Sequence, residues 1–272
     1  NAIQENGFIN AARDPLSTFS IDVDTASYTN VRRFIQGGHL PPVGAVRIEE
    51  MINYFTYAYP RPIGKAPFAL GAEVGPSPFH RDYLLARIGL AAKDLAKEHL
   101  PPSNLVFLID VSGSMQDGNK LPLLKQALPL VVRQLGARDR VALVVYAGAD
   151  SVVLPPTPGD RQQEILAALD QLQAGGSTHA SSGIRTAYEL ARKSFIKGGN
   201  NRVILASDGD FNVGVTSRDE LTRLIEEERK DGIYLTVLGL GMGNYHDDTM
   251  EVLADKGNGN YAYIHSLLEA KK

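Results

Sequence analysis

One short run has residue types that could hold a metal ion: Asp110-Val-Ser112-Gly-Ser114. A carboxylate and two hydroxyls project from a single turn, each two residues from the next. Gly113 lets the backbone fold that tightly. These are hard oxygen donors, suited to Mg²⁺, Mn²⁺ or Ca²⁺ and not to a soft metal. Asp and Ser also favour helix caps, so the run alone has two readings. Two further segments bear on the choice. Val203-Ile-Leu-Ala-Ser-Asp208-Gly is an apolar run that ends in a carboxylate, and Gly175-Gly-Ser-Thr178-His is a polar loop that opens a helix.

These residues need a frame, and the hydropathy pattern supplies one. Leu105–Ile109, Val141–Tyr146, Val203–Ala206 and Tyr234–Leu240 are apolar runs of the kind that form strands buried on both faces, with Tyr261–Ile264 a shorter fifth. Helical periodicity falls at about Leu121–Leu135, Arg161–Leu172, Ser182–Phe195, Arg218–Lys230 and His246–Ala254. Val152–Leu154 reads as one extra short edge strand, and Pro129 is expected to kink its helix. Strands alternating with helices predict an α/β fold with a doubly wound, Rossmann-like, mostly parallel sheet. In the common strand order 3-2-1-4-5-6, strands 1 and 4 flank the switch point where ligands bind. With 104–110 as strand 1 and 202–208 as strand 4, Asp110, Ser112, Ser114, Thr178 and Asp208 converge in one crevice.

Composition removes several alternatives. The 272 residues carry no cysteine, which excludes disulfides, thiol catalysis and thiolate metal sites. Net charge is −3, and neither the part before Ser103 nor the part after it is basic, which argues against a nucleic-acid surface. The longest uncharged run, Gly232 to His246, is too short and too polar to span a bilayer.

Ahead of this domain lie a loose segment, 1–16, and an α+β extension, 17–102. In the extension, Phe19–Val23 alternates like a strand. Asp24 and Thr25 are candidate caps for a helix over Ala26–Gln36, which Gly37-Gly38 stop. A second amphipathic helix is predicted over Ala45–Phe55, with Val46, Met51, Ile52 and Phe55 on one face. Phe68–Val74 and Tyr83–Leu90 read as two strands. Two strands make no stable sheet alone, so they are expected to pair with strands from outside this sequence.

The succession Asp110, Ser112, Ser114, then Thr178, then Asp208 resembles the metal-ion-dependent adhesion site of the von Willebrand factor A domain, over residues 103–266. Ser17–Ser27, Val46–Phe55, Asp208–Gly214 and Ala254–Tyr261 resemble the bacterial YfbK-like proteins, and that resemblance covers nearly the whole chain. It implies a non-enzymatic binding module in which Ser112 and Ser114 coordinate Mg²⁺ (or Mn²⁺ or Ca²⁺) directly. Thr178 binds directly or through water, while Asp110 and Asp208 act largely through waters. One open position would take a carboxylate from a protein partner. The resemblance also implies export to the cell envelope, often with a lipid anchor upstream of Asn1. Residues 267–272 would begin a further C-terminal region. His179 stands where related chains tend to have a small residue; it is a rim contact for the partner or an exposed loop histidine. Asp210 is a second carboxylate near the site, or a solvated turn residue.

Asp22-Val-Asp24-Thr25 is similar to the nucleophile motif of haloacid-dehalogenase-like phosphatases, with Asp247 and Asp248 as possible metal ligands. That motif should open the wound sheet, and here two helices and two isolated strands intervene. Gly239-Leu-Gly-Met-Gly243 lacks the last glycine of a dinucleotide fingerprint. A Ser–His–Asp hydrolase built on Ser112 or Ser114 with His179 needs a carboxylate behind the histidine. A purely structural domain with a non-functional metal site is the remaining alternative.

Overall fold

The structure, a computed structural model, describes residues 7–18, 23–96, 99–147, 149–176, 180–209, 218–241 and 247–271. The chain runs through α1 (Ala26–Gln36), α2 (Ile48–Asn53) and a hairpin of β1 (Phe68–Pro76) and β2 (Leu84–Ala92). Strands and helices then alternate: β3 (Ser103–Asp110), α3 (Leu121–Val132), β4 (Arg140–Ala147), β5 (Ala149–Pro158), α4 (Gln162–Asp170), α5 (Ala180–Lys193) and β6 (Asn200–Ser207). They continue with α6 (Arg218–Glu228), β7 (Ile233–Leu240), α7 (Asp247–Lys256), β8 (Tyr261–Ile264) and α8 (Leu267–Ala270). Residues 1–54 and 101–272 form one compact unit, and 55–100 form another.

In the larger unit six strands make one sheet in the order β5-β4-β3-β6-β7-β8, parallel throughout except for β5. This is the doubly wound order expected from the sequence, and the winding reverses between β3 and β6. Successive side chains of a strand point to opposite faces. Val106 and Leu108 therefore join a core with Ile184 of α5, Ile225 of α6 and Leu253 of α7. Leu105, Phe107 and Ile109 join another with Leu124 and Leu128 of α3 and Ile165 of α4. Both faces are apolar, which explains why these strands read as continuous hydrophobic runs. At Gly183 of α5 an added Cβ would lie 2.9 Å from Tyr146 Cβ, so glycine lets this helix sit close on the sheet.

Two expectations need correction. β5 spans ten residues, where Val152–Leu154 alone was expected. Pro155, Pro156 and Pro158 hid it, because proline argues against a strand. An edge position tolerates proline, since no ladder bond is needed on the outer side. The helix expected over Ala45–Phe55 is a 3₁₀ turn at Val43–Ala45 followed by the six residues of α2. Its supposed inner face is reversed in character: Val46, Ile52 and Phe55 are exposed, and Glu50 is fully buried. Specific polar bonding outweighs apolar burial there. Glu50 Oε2 accepts the Ser27 N–H (2.8 Å) and an Arg47 Nη2 bond (3.1 Å), and Arg47 Nε donates to Glu50 Oε1. Ser27 Oγ donates to the Ala45 carbonyl at 2.7 Å and accepts the Arg47 N–H at 2.9 Å. Arg47 also meets Glu251 of α7 at 3.3 Å.

The helix α1 has the expected bounds, but its N-cap residue, Thr25, makes no side-chain cap bond. Asp24 is buried, and its Oδ1 accepts the backbone N–H of Tyr261 at 2.9 Å. It clips the first residue of β8 to the segment that leads into α1. Arg32 Nη2 and His265 Nε2, 3.4 Å apart, and Tyr54, donating to Glu269 at 3.1 Å, tie α1 and α2 to the same C-terminal segment. Phe19–Asp22 lie outside the described residues. α3 continues through Pro129 to Val132.

The smaller unit is built on the antiparallel pair β1–β2, in register from Phe68↔Ala92 to Pro76↔Leu84. Phe68, Leu70, Val74, Leu84, Leu85 and Ile88 are all exposed on it. No helix among the described residues is long and apolar enough to cross a membrane.

Candidate metal site at the switch point

Asp110 is the last residue of β3 and is completely buried. Its Oδ1 accepts the Ser112 N–H at 2.9 Å, which curls the chain back over the strand end. A 3₁₀ turn over Gly113–Gln116 follows and brings Ser114 round to Ser112, with the two Oγ atoms 3.0 Å apart. Asp110 Oδ2 accepts the hydroxyls of Ser207 (3.1 Å) and Tyr146 (3.3 Å), from the strands on either side. Asp208 follows Ser207 directly and is 2% exposed. Its Oδ2 accepts a bond from Lys120 Nζ at 3.0 Å, and the same ammonium donates to the Ser114 carbonyl at 2.9 Å.

The Gly175-Gly176 loop is fastened to the same turn. The Gly113 N–H donates to the Gly176 carbonyl at 3.1 Å, and the Gly175 N–H donates to the Val111 carbonyl at 2.7 Å. Burial pushes the Asp110 carboxyl above the ordinary carboxylate value; the bonds from Ser112 oppose this, and the charge of Asp208 adds to it. Burial, with Asp110 adjacent, drives the Tyr146 phenol well above its usual value, so it stays a neutral donor.

Four residues expected from the sequence, Asp110, Ser112, Ser114 and Asp208, are thus brought together. Thr178, His179 and Asp210 lie outside the described residues. Three residues escaped sequence reasoning. Ser207 had a signal, since it immediately precedes Asp208 at a strand end. Tyr146 had one only through register, because it pairs with Asp110 across β3–β4. Lys120 had none: its role comes from packing.

Among the described residues no three His, Cys, Asp or Glu side chains cluster as a metal site. The donor set is of a different kind. Two neighbouring hydroxyls stand in front of a buried carboxylate, and a second carboxylate closes the side. That chemistry fits a hard divalent ion that keeps several waters. Asp24 is committed to Tyr261, and Gly239 and Gly241 serve packing: an added Cβ would come 2.9 Å from Tyr261 Oη at the first and 2.4 Å from Lys120 Cε at the second.

Residues 104–271 match the family model of the von Willebrand factor type A domain. The chain belongs to that family. Residues 1–87 of this A-domain protein match a second model, described as von Willebrand factor. Its sequence is 45% identical over 278 residues to the protein YfbK of Escherichia coli K12, covering 98% of this chain and 48% of that one. A Synechocystis protein is 29% identical over 188 residues, covering 68% and 43%. The A-domain chain thus spans about half the length of these relatives. Among solved structures, a von Willebrand factor type A protein from Catenulispora acidiphila superposes with a TM-score of 0.57 at 18% identity, covering 75% of this chain and 47% of that one. BatB from Bacteroides thetaiotaomicron gives 0.52 at 17%, covering 60% and 91%. These two likenesses are of fold.

Proposed function

We propose that this A domain is a divalent-cation-dependent protein-binding module. The observation that carries this reading is the pair of serine hydroxyls, 3.0 Å apart, set over a buried carboxylate at the switch point. Ser112, Ser114 and Thr178 would hold the ion, Mg²⁺ before Mn²⁺ or Ca²⁺, with Asp110 and Asp208 behind them. When bound, the cation supplies an electrophilic position for an anionic oxygen. Asp110 orients Ser112 by taking its N–H, and Ser207 and Tyr146 hold Asp110 in turn. Because the nearest donors are neutral hydroxyls, the site leaves positive charge unbalanced, and a carboxylate of a protein partner completes it. We place this action in the cell envelope, with a lipid anchor upstream of Asn1.

The module reading is preferred to a phosphatase because Asp24, the second carboxylate of the phosphatase-like motif, is buried and accepts the Tyr261 N–H, a structural clip. Calorimetry with Mg²⁺ and Mn²⁺ on the wild type and Ser112→Ala tests the site. Binding by the wild type and its loss in the variant are expected; equal binding by both proteins would place the ion elsewhere. Capture of a protein from envelope extract with Mg²⁺, lost with chelator and in Ser112→Ala, tests the partner.

A further inference from the structure

We propose that Lys120 is a tethered cation that competes with the divalent ion for Asp208, and so lowers metal affinity while raising the positive charge of the loaded site. The inference rests on the metal reading above and deepens it.

Three observations describe a built seat for this ammonium. Nζ bonds the Asp208 carboxylate at 3.0 Å, and that carboxylate belongs to a residue only 2% exposed. Nζ also bonds the Ser114 carbonyl at 2.9 Å, so the ammonium links the hydroxyl-bearing turn to the end of β6. The side-chain stem lies over Gly241, where a Cβ would come within 2.4 Å of Lys120 Cε; Gly241 has φ +84°. The lysine side chain is 11% exposed, and the exposed carboxylate of Asp117 lies 3.6 Å from its Nζ. This is not a solvated surface pair, in which salt screening would leave little effect.

Charge counting gives the consequence. Asp110 and Asp208 bring two negative charges into a buried crevice, and Lys120 returns one positive. Without metal, the ammonium satisfies a carboxylate that burial would otherwise penalise. With a divalent ion held by the same turn, the ammonium would repel it, the more so because its side chain is only 11% exposed. Counting the buried carboxylates, the lysine and the ion, and leaving aside the solvated Asp117, the loaded site then totals +1, where without the lysine it would be neutral. A partner's carboxylate meets a net positive site, so Lys120 trades metal affinity for selection of an acidic ligand.

The test is Mg²⁺ titration by calorimetry on wild type, Lys120→Met, Lys120→Gln and Lys120→Arg, with the Mg²⁺-induced rise in Tm as a second readout. Both neutral variants should bind Mg²⁺ about tenfold or more tightly than wild type, and show a larger rise in Tm. Lys120→Arg should stay near wild type. Unchanged or weaker binding in both neutral variants overturns the role of Lys120 and leaves the metal site standing. Absence of binding from the wild type and every variant overturns the metal site, and this inference with it. Binding in the neutral variants alone supports the tethered cation, and shows that it excludes the ion from the wild-type chain.

Discussion

Ser207 and Asp110 end adjacent parallel strands, and the serine hydroxyl donates to Asp110 Oδ2 across 3.1 Å. The same Oγ accepts the Gly209 N–H at 3.0 Å, so one hydroxyl fixes both the carboxylate and the turn that carries Asp208. Ser207→Ala leaves a buried carboxylate one donor short, at a cost of about 1–3 kcal/mol. Denaturant unfolding should show that loss, and Mg²⁺ titration should show weaker binding. Full stability in the variant would mean that Tyr146 and Ser112 hold Asp110 without it.

The clip between Asp24 and Tyr261 predicts a contrast between two substitutions. Asp24→Ala strands a backbone donor at the start of β8 and should cost about 1–3 kcal/mol. Asp24→Asn keeps an acceptor oxygen and should stay much closer to wild type. Thermal melts of the two variants decide it; equal losses would show that the negative charge, and not the acceptor, matters.

Glu50 is fully buried and depends on Arg47. Arg47→Met leaves that carboxylate without its cation, and should cost about 3 kcal/mol or more. Arg47→Met with Glu50→Met should recover part of the loss, because the stranded charge is gone. No recovery in the double variant, measured by denaturant unfolding, would mean that the salt bridge is not the source.

The sheet was legible because its strands are buried on both faces, and such strands announce themselves as apolar runs. The loop chemistry was legible because Asp110, Ser112 and Ser114 sit within five residues of each other. Contacts set by distant packing were not. Lys120 reaches Asp208 across 88 positions, and Asp24 reaches Tyr261 across 237. Glu50 misled the reading for the opposite reason: its segment has an apolar stripe, yet polar bonds to Ser27 and Arg47 decide which side faces inward.

A pH dependence follows from Asp150 on β5. Thr186 of α5 donates to Asp150 Oδ2 at 2.5 Å, and this bond, the largest cause, holds the carboxyl below its ordinary value. A depressed folded-state value means stability that is present above the ordinary aspartate range, near pH 3.9, and is lost as pH falls through the lower folded value. Thr186→Val removes the larger part of it, at a cost of about 0.5 kcal/mol at neutral pH, since the carboxyl is largely solvated; the bond from Ser182 remains. The difference in Tm between the two proteins should shrink as pH falls below about 3.9. A difference independent of pH would assign the effect to helix packing.

The hairpin β1–β2 should be the labile part of the fold. A two-stranded ladder with exposed apolar side chains has little to stabilise it. Amides of 68–92 should exchange much faster with deuterium than those of β3 and β6, which lie at the centre of the six-stranded sheet. Comparable protection in the two regions would contradict this.

The bond from Tyr261 to Asp24 also sets a timetable for synthesis. A ribosome makes α1 well before the strand it is clipped to, since Tyr261 lies 237 residues after Asp24. Until then the carboxylate of Asp24 and the donors on Arg32 lack the segment they are matched to, and the helix is too short to persist alone in water. The nascent chain can assemble β3, β4 and β6 in turn, but α1 can be clipped to β8 only after Tyr261 has been made. Chaperones that shield emerging apolar segments would therefore meet α1 throughout the synthesis of the residues between Asp24 and Tyr261.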